Sequence, residues 1–179
     1  MSLNEQFIGK DVTLGKGVKI WHFVFIGERT KIGDRTTIGS LSHVDRDVEI
    51  GKKCMIGGMV YIPPLTVIGD NVFVGPGVVI TNDRFPPGGR LAGVRIKNGA
   101  VLCAGSMLRA GVVVGENSVV GMGAVVANDV PDNAVVFGIP AKQKMTRSEY
   151  DQKRELWRKG VFTNSDPLMK TIIVGENPE

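Results

Sequence analysis

The stretch IGKDVTLGKGVKIWHFVFIGERTKIGDRTTIGSLSHVDRDVEIGKKCMIGGMVYIPPLTVIGDNVFVGPGVVI, residues 8–80, repeats an aliphatic residue every six positions. The first position of all thirteen hexads is Ile, Leu or Val: Ile8, Leu14, Ile20, Ile26, Ile32, Ile38, Val44, Ile50, Ile56, Ile62, Ile68, Val74 and Ile80. The second position is Gly in nine of these hexads, and the fifth is small or β-branched in all but the last. The same period returns at Ile96 and continues through Val126.

A period of six fits neither an α-helix, whose faces repeat every 3.6 residues, nor a single flat strand. It fits a short strand followed by a turn, with the aliphatic side chain pointing inward and a Gly-permitted turn after it. One such unit buries little apolar surface alone, whereas stacked units form one continuous aliphatic column. The sequence therefore predicts an all-β solenoid.

The repeat is interrupted after Ile80. Residues 81–94, TNDRFPPGGRLAGV, are rich in turn-forming residues, and ten residues counted as inserted (86–95) restore the period at Ile96. We predict a loop over about residues 82–95 that is extruded from one corner of the solenoid. Loops held by a rigid scaffold often carry functional residues.

The C-terminal part of the chain has a helical pattern. Thr146 and Glu149 have the spacing of a capping box, and Gly160 is the predicted end of the helix. We predict a β-helix domain over residues 1–145 and a helix and tail over 146–179. The helix is expected to cap the open end of the solenoid, which would otherwise expose strand edges.

The repeat resembles that of the hexapeptide acyltransferases over about two thirds of the chain. This resemblance implies a left-handed parallel β-helix with three hexads per coil and therefore about six coils. It also implies a homotrimer with active sites between neighbouring subunits.

Three short strings resemble segments of the acetyltransferases that act on nucleotide-linked amino sugars. They are Ile20-Trp21-His22-Phe23-Val24, Ile80-Thr81-Asn82-Asp83-Arg84-Phe85-Pro86, and the segment from Val130 that ends in Gly138-Ile139-Pro140-Ala141-Lys142. The resemblance implies an acetyl-CoA-dependent N-acetyltransferase whose acceptor is an amino group of a sugar, with a nucleotide-linked sugar expected. The co-substrate is acetyl-CoA, and no metal is required.

Four residues are candidates for catalysis. By resemblance, Asn82 lies at the active site, where its amide can accept a hydrogen bond from a substrate amine and orient it. Asp83 can accept a proton or bind a sugar hydroxyl. His22 and His43 are the two histidines of the chain, and a hydroxyl acceptor would need such a base. With 18 residues per coil, His43 stacks two coils below the level of Asn82, about 10 Å away.

Further candidates bind the substrates. Arg84 can pair with a nucleotide phosphate, and Tyr61 lies on the face expected to shape the acceptor site. By resemblance, small residues of the late coils let the pantetheine arm of CoA lie against the backbone, and Lys142 with its basic neighbours Lys144 and Arg147 suits the CoA phosphates. The predicted cofactor-binding residues are Ala104, Gly105, Ser106, Gly123, Ala124 and Lys142.

Composition limits the function classes. The net charge of +4 and the pI of about 9.2 favour anionic ligands mildly, but there is no basic and aromatic stripe of the kind that binds nucleic acid. Neither an apolar run of membrane-spanning length nor a signal pattern is found, so we expect a cytoplasmic protein with no membrane partner. We expect Cys54 and Cys103 to be reduced and structural.

Two alternatives stay open at this point: an O-acetyltransferase with a small hydroxyl acceptor, and a non-enzymatic β-helix scaffold. The zinc-dependent carbonic anhydrases of related fold need three His ligands, and this chain has two. The identity of the acceptor does not follow from the sequence.

Overall fold

The structure, a computed structural model, describes residues 5–160 as a stack of short strands followed by one α-helix. The described chain contains nineteen two-residue strands, β1 to β19: Phe7–Ile8, Thr13–Leu14, Lys19–Ile20, Phe25–Ile26, Lys31–Ile32, Thr37–Ile38, His43–Val44, Glu49–Ile50, Met55–Ile56, Tyr61–Ile62, Val67–Ile68, Phe73–Val74, Val79–Ile80, Arg95–Ile96, Val101–Leu102, Met107–Leu108, Val113–Val114, Val119–Val120 and Val125–Val126. Strands β20 (Ala134–Phe137) and β21 (Lys142–Thr146) and helix α1 (Arg147–Arg158) follow them.

The strands form three sheets that the chain visits in turn. The first sheet has the order β1-β4-β7-β10-β13-β16-β19, the second β2-β5-β8-β11-β14-β17, and the third β3-β6-β9-β12-β15-β18-β20-β21. Strands of successive coils pair in parallel, whereas β20 and β21 are antiparallel. The predicted parallel β-helix is confirmed, with about seven turns rather than six, because β20 extends the third sheet beyond the last hexad.

Three corners connect the sheets, and each is named here by the sheets that it joins. The first corner leads from the first sheet to the second (residues 9–12, 27–30, 45–48, 63–66, 81–94, 109–112 and 127–129). The second corner leads from the second sheet to the third. The third corner leads from the third sheet back to the first (residues 21–24, 39–42, 57–60, 75–78, 103–106 and 121–124).

The interior is the aliphatic column that the hexads predict. Ile26, Ile62 and Ile80 have no exposed surface, and each stacks on the corresponding residue of the next coil. The fifth position is buried beside this column, so a polar residue there must find a partner. Thr30 Oγ1, for example, donates to the carbonyl of Asp45 in the next coil at 2.8 Å. Small hydroxyl residues therefore fill the corner and also connect the coils.

Glycine at the second position allows the coils to approach each other closely. A Cβ on Gly33 would lie 2.7 Å from the carbonyl carbon of Gly51, and one on Gly57 would lie 2.6 Å from the backbone N of Pro76. Both contacts are with backbone that cannot move aside. The nine glycines of the first thirteen hexads are thus explained by the spacing of the coils.

The predicted interruption of the repeat is confirmed as a loop at the first corner. Strand β13 ends at Ile80 and β14 begins at Arg95. Val67 pairs with Arg95 and Phe73 with Val101, each 28 residues later, whereas in the coils before the loop the paired residues are 18 apart, as in Phe25 and His43. The ten additional residues lie outside the column, and the register of the core is the same on both sides of the loop.

Helix α1 begins at Arg147, within one residue of the predicted start. The N–H of Gly160 donates to the carbonyl of Trp157 at 3.0 Å, just after the helix ends at Arg158. No helix among residues 5–160 combines the length and hydropathy needed to cross a bilayer. The predicted tail (161–179) lies outside the described residues. The boundary at residue 145 and the capping role of the helix stay predictions.

We expect Ile62→Val to lower the free energy of unfolding by about 1 kcal/mol, because it removes one methylene from a fully buried site in the column. Ile139→Val is the matched control, since Ile139 is 77% exposed and the same change there should have no measurable effect. Urea denaturation of both variants measures the difference. Equal losses of stability would contradict the column as the main source of stability.

Candidate active site

The loop after β13 folds back on itself at its base. Asp83 and Leu91 form an antiparallel bridge, and the N–H of Ala92 donates to the carbonyl of Asn82 at 2.7 Å. The carboxylate of Asp83 accepts the N–H of Phe85 at 3.0 Å and the N–H of Gly88 at 2.8 Å. Asp83 therefore shapes the loop, and its two oxygens are occupied by backbone donors.

Asn82 differs from Asp83, because its side chain is not used in hydrogen bonds within the loop. Its backbone carbonyl is used by Ala92, but its half-buried side-chain amide makes no hydrogen bond with any other described residue. An amide in this position is available to an incoming ligand. Among the predicted catalytic residues, Asn82 has the most suitable geometry for contacting a substrate.

A cavity of about 400 Å³ lies against this loop. Its lining residues are Asp83, Arg84, Phe85, Gly88, Arg90 and Ala92. Arg109, on the first corner of the next coil, places its guanidinium carbon 5.5 Å from the centre of the ring of Phe85, one of these lining residues. The cavity therefore combines a basic rim with an aromatic wall beside Asn82.

His43 and Tyr61 lie on the outer face of the first sheet, below the loop. Phe25, His43, Tyr61 and Val79 pair in register, so the stack expected from the 18-residue coil is confirmed. The His43 ring stacks on Phe25 at 4.4 Å and lies 5.5 Å from Tyr61. Burial, and secondarily the carboxylate of Asp45, raise the pKa of Tyr61.

The structure does not bring either histidine to Asn82 within one chain. His43 is two strands below β13, a separation of about 10 Å. His22 lies at the third corner of a still lower coil, where its carbonyl accepts the N–H of Leu41 at 3.1 Å. Both imidazoles are exposed. Their catalytic roles stay predictions that require a second subunit.

The residue at the left-handed position of the third corner changes from large and apolar to glycine along the solenoid. In the lower coils the left-handed position of this corner holds Phe23, Leu41 and Met59, all with exposed side chains. In the upper coils the same position is Gly77, Gly105 and Gly123, with φ of 68°, 66° and 66°. No atom lies within 4 Å of a Cβ built on any of these glycines. They therefore leave an open strip along the corner, which we call the glycine corner (residues 75–78, 103–106 and 121–124).

Five of the six predicted cofactor-binding residues, all except Lys142, lie together on the glycine corner. Gly105 and Gly123 are exposed and Ala104 is half-buried, whereas the side chains of Ser106 and Ala124 are fully buried. Ser106 Oγ is a buried polar atom without a hydrogen-bond partner. Any contact that Ser106 or Ala124 makes with a ligand must therefore use the backbone.

The Gly138–Ala141 segment closes the upper end of this corner. The N–H of Val125 donates to the carbonyl of Gly138 at 3.0 Å, and the N–H of Ala141 donates to the carbonyl of Val125 at 2.8 Å. Lys142 follows directly and is exposed at the start of β21. Arg147 is committed elsewhere, since its Nη1 donates to the carbonyl of Asn117 at 2.8 Å. Of the expected basic cluster, Lys142 and Lys144 remain exposed.

Two features of the site were missed in the sequence. Gly77 belongs to the glycine corner, and its position 28 residues before Gly105 (18 plus the ten inserted residues) was the available signal. Arg109 replaces the second-position glycine of its hexad, but nothing in the sequence indicates its contact with Phe85. That contact depends on the path of the loop.

The cysteines and acidic residues do not form a further reactive centre. Cys54 and Cys103 are free, and burial raises the pKa of both thiols. The Cys54 thiol donates to the carbonyl of Gly69 at 3.0 Å, as a small corner residue would. Among residues 5–160, no group of three or more His, Cys, Asp or Glu side chains is placed to hold a metal ion.

Comparison with protein-family models identifies the repeat. The model described as bacterial transferase hexapeptide (six repeats) matches residues 29–64 and 47–82, and the model described as hexapeptide repeat of succinyl-transferase matches residues 106–127. No curated protein matches the sequence significantly.

Several solved structures share the fold. PerB from Caulobacter crescentus in complex with CoA and GDP-perosamine is 28% identical, with 78% of this chain and 54% of that chain covered and a TM-score of 0.52. A histidine-to-alanine mutant of GDP-perosamine N-acetyl transferase from the same organism, also with CoA and GDP-perosamine, is 28% identical, with 78% and 53% covered and a TM-score of 0.51. WeeI from Acinetobacter baumannii AYE is 23% identical, with 75% and 55% covered and a TM-score of 0.53, which is evidence for the fold alone. The chain spans about half the length of these structures.

Proposed function

We propose that this chain, which carries the hexapeptide repeat of bacterial transferases, moves an acetyl group from acetyl-CoA to an amino group of a nucleotide-linked sugar. The observation that carries the proposal is the placement of two accessible features on either side of the first sheet. The glycine corner lies on one side, and the unpartnered amide of Asn82 lies on the other. Asn82 follows Gly77 by five positions, across β13, so that the two are at most about 18 Å apart.

The glycine corner is the proposed acetyl-CoA site. Its glycines leave room for an extended arm, and the N–H groups of Ala104 and Met122 have no acceptor among the described residues, so they are free to bind amide oxygens of pantetheine. Lys142 and Lys144 would meet the CoA phosphates. The CoA found in the PerB complex supports this choice of co-substrate.

The chemistry is attack of a neutral amine on a thioester. The amine nitrogen forms a bond to the acetyl carbon, the carbon–sulfur bond breaks, and the proton lost by the nitrogen is taken up by the departing thiolate, so that the products are an amide and the CoA thiol. Asn82 Oδ1 would accept a hydrogen bond from the amine and aim its lone pair at the acetyl carbon. A backbone N–H at a coil turn would stabilise the oxyanion. Asp83 would act indirectly, because its carboxylate holds the loop in place.

The nucleotide-linked sugar is proposed as acceptor on two grounds. The relatives that are 28% identical were solved with GDP-perosamine. The cavity beside Asn82 is lined by two arginines and an aromatic ring. Arg84 is the proposed contact to the nucleotide, and Tyr61 would contribute from a neighbouring subunit, because in its own chain it lies one coil below the loop.

The test is a titration followed by a turnover assay. Calorimetry with acetyl-CoA, and separately with CoA, should give micromolar binding for both. Release of free thiol from acetyl-CoA is then measured with amino sugars, nucleotide-linked amino sugars and hydroxyl analogues. Binding without turnover on any amine would remove the N-acetyl transfer, and the absence of any CoA binding would favour a scaffold.

A hydroxyl acceptor is the second candidate, because His43 offers an exposed imidazole on the first sheet. A hydroxyl needs a base to attack a thioester, whereas a neutral amine does not. His43→Ala and His22→Ala discriminate between the two candidates. Loss of turnover in either histidine variant, combined with a small effect of Asn82→Ala, would favour the hydroxyl acceptor.

We propose a homotrimer whose subunits meet at the third corner of the lower coils, where Phe23, Leu41 and Met59 lie. Phe23, Leu41 and Met59 adopt left-handed backbone conformations that are uncommon for such residues, and their side chains are 49%, 59% and 61% exposed. Large apolar side chains that are exposed and held in an uncommon backbone conformation indicate a surface that another subunit covers. Such an interface would bring the neighbouring subunit beside the first sheet, where the acceptor site needs further residues.

We expect the double variant Leu41→Asn, Met59→Asn to lose the trimer at micromolar concentration. Asparagine favours the left-handed conformation more than Leu or Met does, so the fold itself should not be destabilised. Sedimentation velocity measures the assembly and thermal melting measures the fold. Lys53→Asn, at a left-handed position of the second corner, is the matched control. An intact trimer in the double variant would place the interface elsewhere.

A further inference from the structure

The cavity beside the loop is surrounded by arginines without acidic partners. Arg84 and Arg90 line it, and the guanidinium carbon of Arg109, from the next coil, lies 5.5 Å from the centre of the ring of Phe85, which is also a lining residue. Among residues 5–160, no carboxylate forms an ion pair with any of the three, whereas other exposed cations do find one, such as Lys31 with Glu49 at 3.0 Å. Like charges around one loop repel each other when no carboxylate pairs with them, and a bound anion would remove this cost.

On this corner, the acidic side chains of the loop and of the coils above it, Asp83 and Asp129, already accept hydrogen bonds. Asp83 accepts two backbone N–H groups of its own loop. Asp129, one coil above Arg109, accepts the N–H of Val113 at 2.8 Å. Both carboxylates therefore stabilise the backbone, and the positive charge of the arginines is left for a ligand.

Two of the arginines are placed over the same short corner segment. Arg84 Nη1 lies 3.9 Å from the position that a Cβ on Gly111 would occupy, and Ala92 Cβ lies 3.4 Å from that position. Arg109 begins this corner, and its guanidinium is held near the Phe85 ring. The missing side chain of Gly111 therefore leaves room for Arg84 and Ala92 of the loop, and the loop and the next coil each contribute a guanidinium to this region.

We infer that Arg84, Arg90 and Arg109 bind a diphosphate group in this cavity. Planar guanidinium forks match phosphate oxygens in pairs, and several of them suit a group with adjacent negative charges. The inference rests on the proposed function, in which the diphosphate belongs to the nucleotide-linked acceptor. Ala92 lines the cavity and is hydrogen-bonded to Asn82, so a sugar attached to this diphosphate would be held close to the Asn82 amide.

CoA carries the same diphosphate chemistry, and the experiment distinguishes the two sources. UDP, dTDP and GDP are titrated by calorimetry into the full chain, with the corresponding nucleosides and CoA as separate arms. The double variant Arg84→Gln, Arg109→Gln should bind the nucleoside diphosphates about 10- to 100-fold more weakly. Arg35→Gln, an exposed arginine at the second corner, is the matched control and should change nothing.

Each outcome has a defined meaning. Weaker nucleoside diphosphate binding with unchanged CoA binding supports the acceptor as the source, and weaker CoA binding assigns the site to the CoA diphosphate. If neither ligand loses affinity relative to Arg35→Gln, the inference is overturned. Arg109→Lys keeps a cation near Phe85, and thermal melting of all variants shows whether the fold is intact.

The binding readout also separates this inference from the proposed function. Nucleoside diphosphate binding that depends on the arginines, in a chain that never transfers acetyl groups, would leave the diphosphate site in place and remove the transferase. If the arginine variants transfer acetyl groups to an amino sugar as well as the wild type and bind nucleoside diphosphates equally well, the transferase stays in place and the diphosphate site is removed.

Discussion

Asn82→Ala should lower kcat/KM for acetyl transfer to an amino sugar by about 100-fold, or about 2.7 kcal/mol of transition-state stabilisation. The Asn82 amide has no hydrogen bond within the described chain, so alanine removes no internal contact. The carbonyl that Ala92 uses belongs to the backbone and is retained. The loss should therefore be confined to orientation of the amine, and acetyl-CoA affinity should stay unchanged in a direct titration.

The matched control for this variant is Asn128→Ala. Asn128 is an exposed asparagine on the same corner, and no hydrogen bond of its side chain is found among the described residues. Thiol release from acetyl-CoA is measured for both variants at several acceptor concentrations. Full activity of Asn82→Ala would remove the assigned role of Asn82, and equal losses in the two variants would indicate a general effect on the corner.

The fold was largely predictable because its information is local and repeated. Each hexad has the same aliphatic first position. The repeat continues from Ile8 to Ile80, which is longer than the pattern of any single helix or strand. The extruded loop was predictable for a related reason, since the ten inserted residues interrupt a period that resumes unchanged at Ile96. The family models that match the hexapeptide repeat confirm the resemblance. The number of turns was underestimated because β20 lacks the hexad signature.

The site was predictable only where it follows the repeat. Ala104, Gly105, Gly123 and Ala124 fall on one corner because residues 18 apart stack, and the structure places them there. The distance between His43 and Asn82 followed from the same arithmetic. The repeat does not predict the contacts that a side chain makes within its corner. The Ser106 hydroxyl is buried without a hydrogen-bond partner, whereas that of Thr30 has one.

The loop gave the least predictable part of the site, because its conformation has no repeat to fix it. Asp83 was expected at the reacting atoms, yet its carboxylate binds the backbone of Phe85 and Gly88. The hexad position of Arg109 does not predict its contact with Phe85, which lies 24 residues earlier in the loop. These interactions are set by side chains that meet across coils, so their catalytic and binding roles stay predictions until variants are measured.

Gly105→Leu should weaken acetyl-CoA binding by about 100-fold. Gly105 has φ of 66°, and the space beyond its missing Cβ is empty. A leucine there would fill the strip in which the pantetheine arm is proposed to lie. The chain already accepts leucine in this conformation, because Leu41 occupies the equivalent position in a lower coil. The variant should therefore fold, with a cost of about 1 to 2 kcal/mol for the left-handed backbone.

The control variant must carry the same cost of a left-handed leucine at a position outside the glycine corner. Gly17 has φ of 69° at the second corner, so Gly17→Leu introduces the same backbone strain away from the glycine corner. Calorimetric titration with acetyl-CoA should show wild-type affinity for Gly17→Leu and the loss for Gly105→Leu, with similar melting temperatures for the two variants. Because the control matches both the residue change and the strain, a difference in affinity can arise only from the volume of the side chain at the corner. Unchanged affinity in Gly105→Leu would place the cofactor on another face of the solenoid.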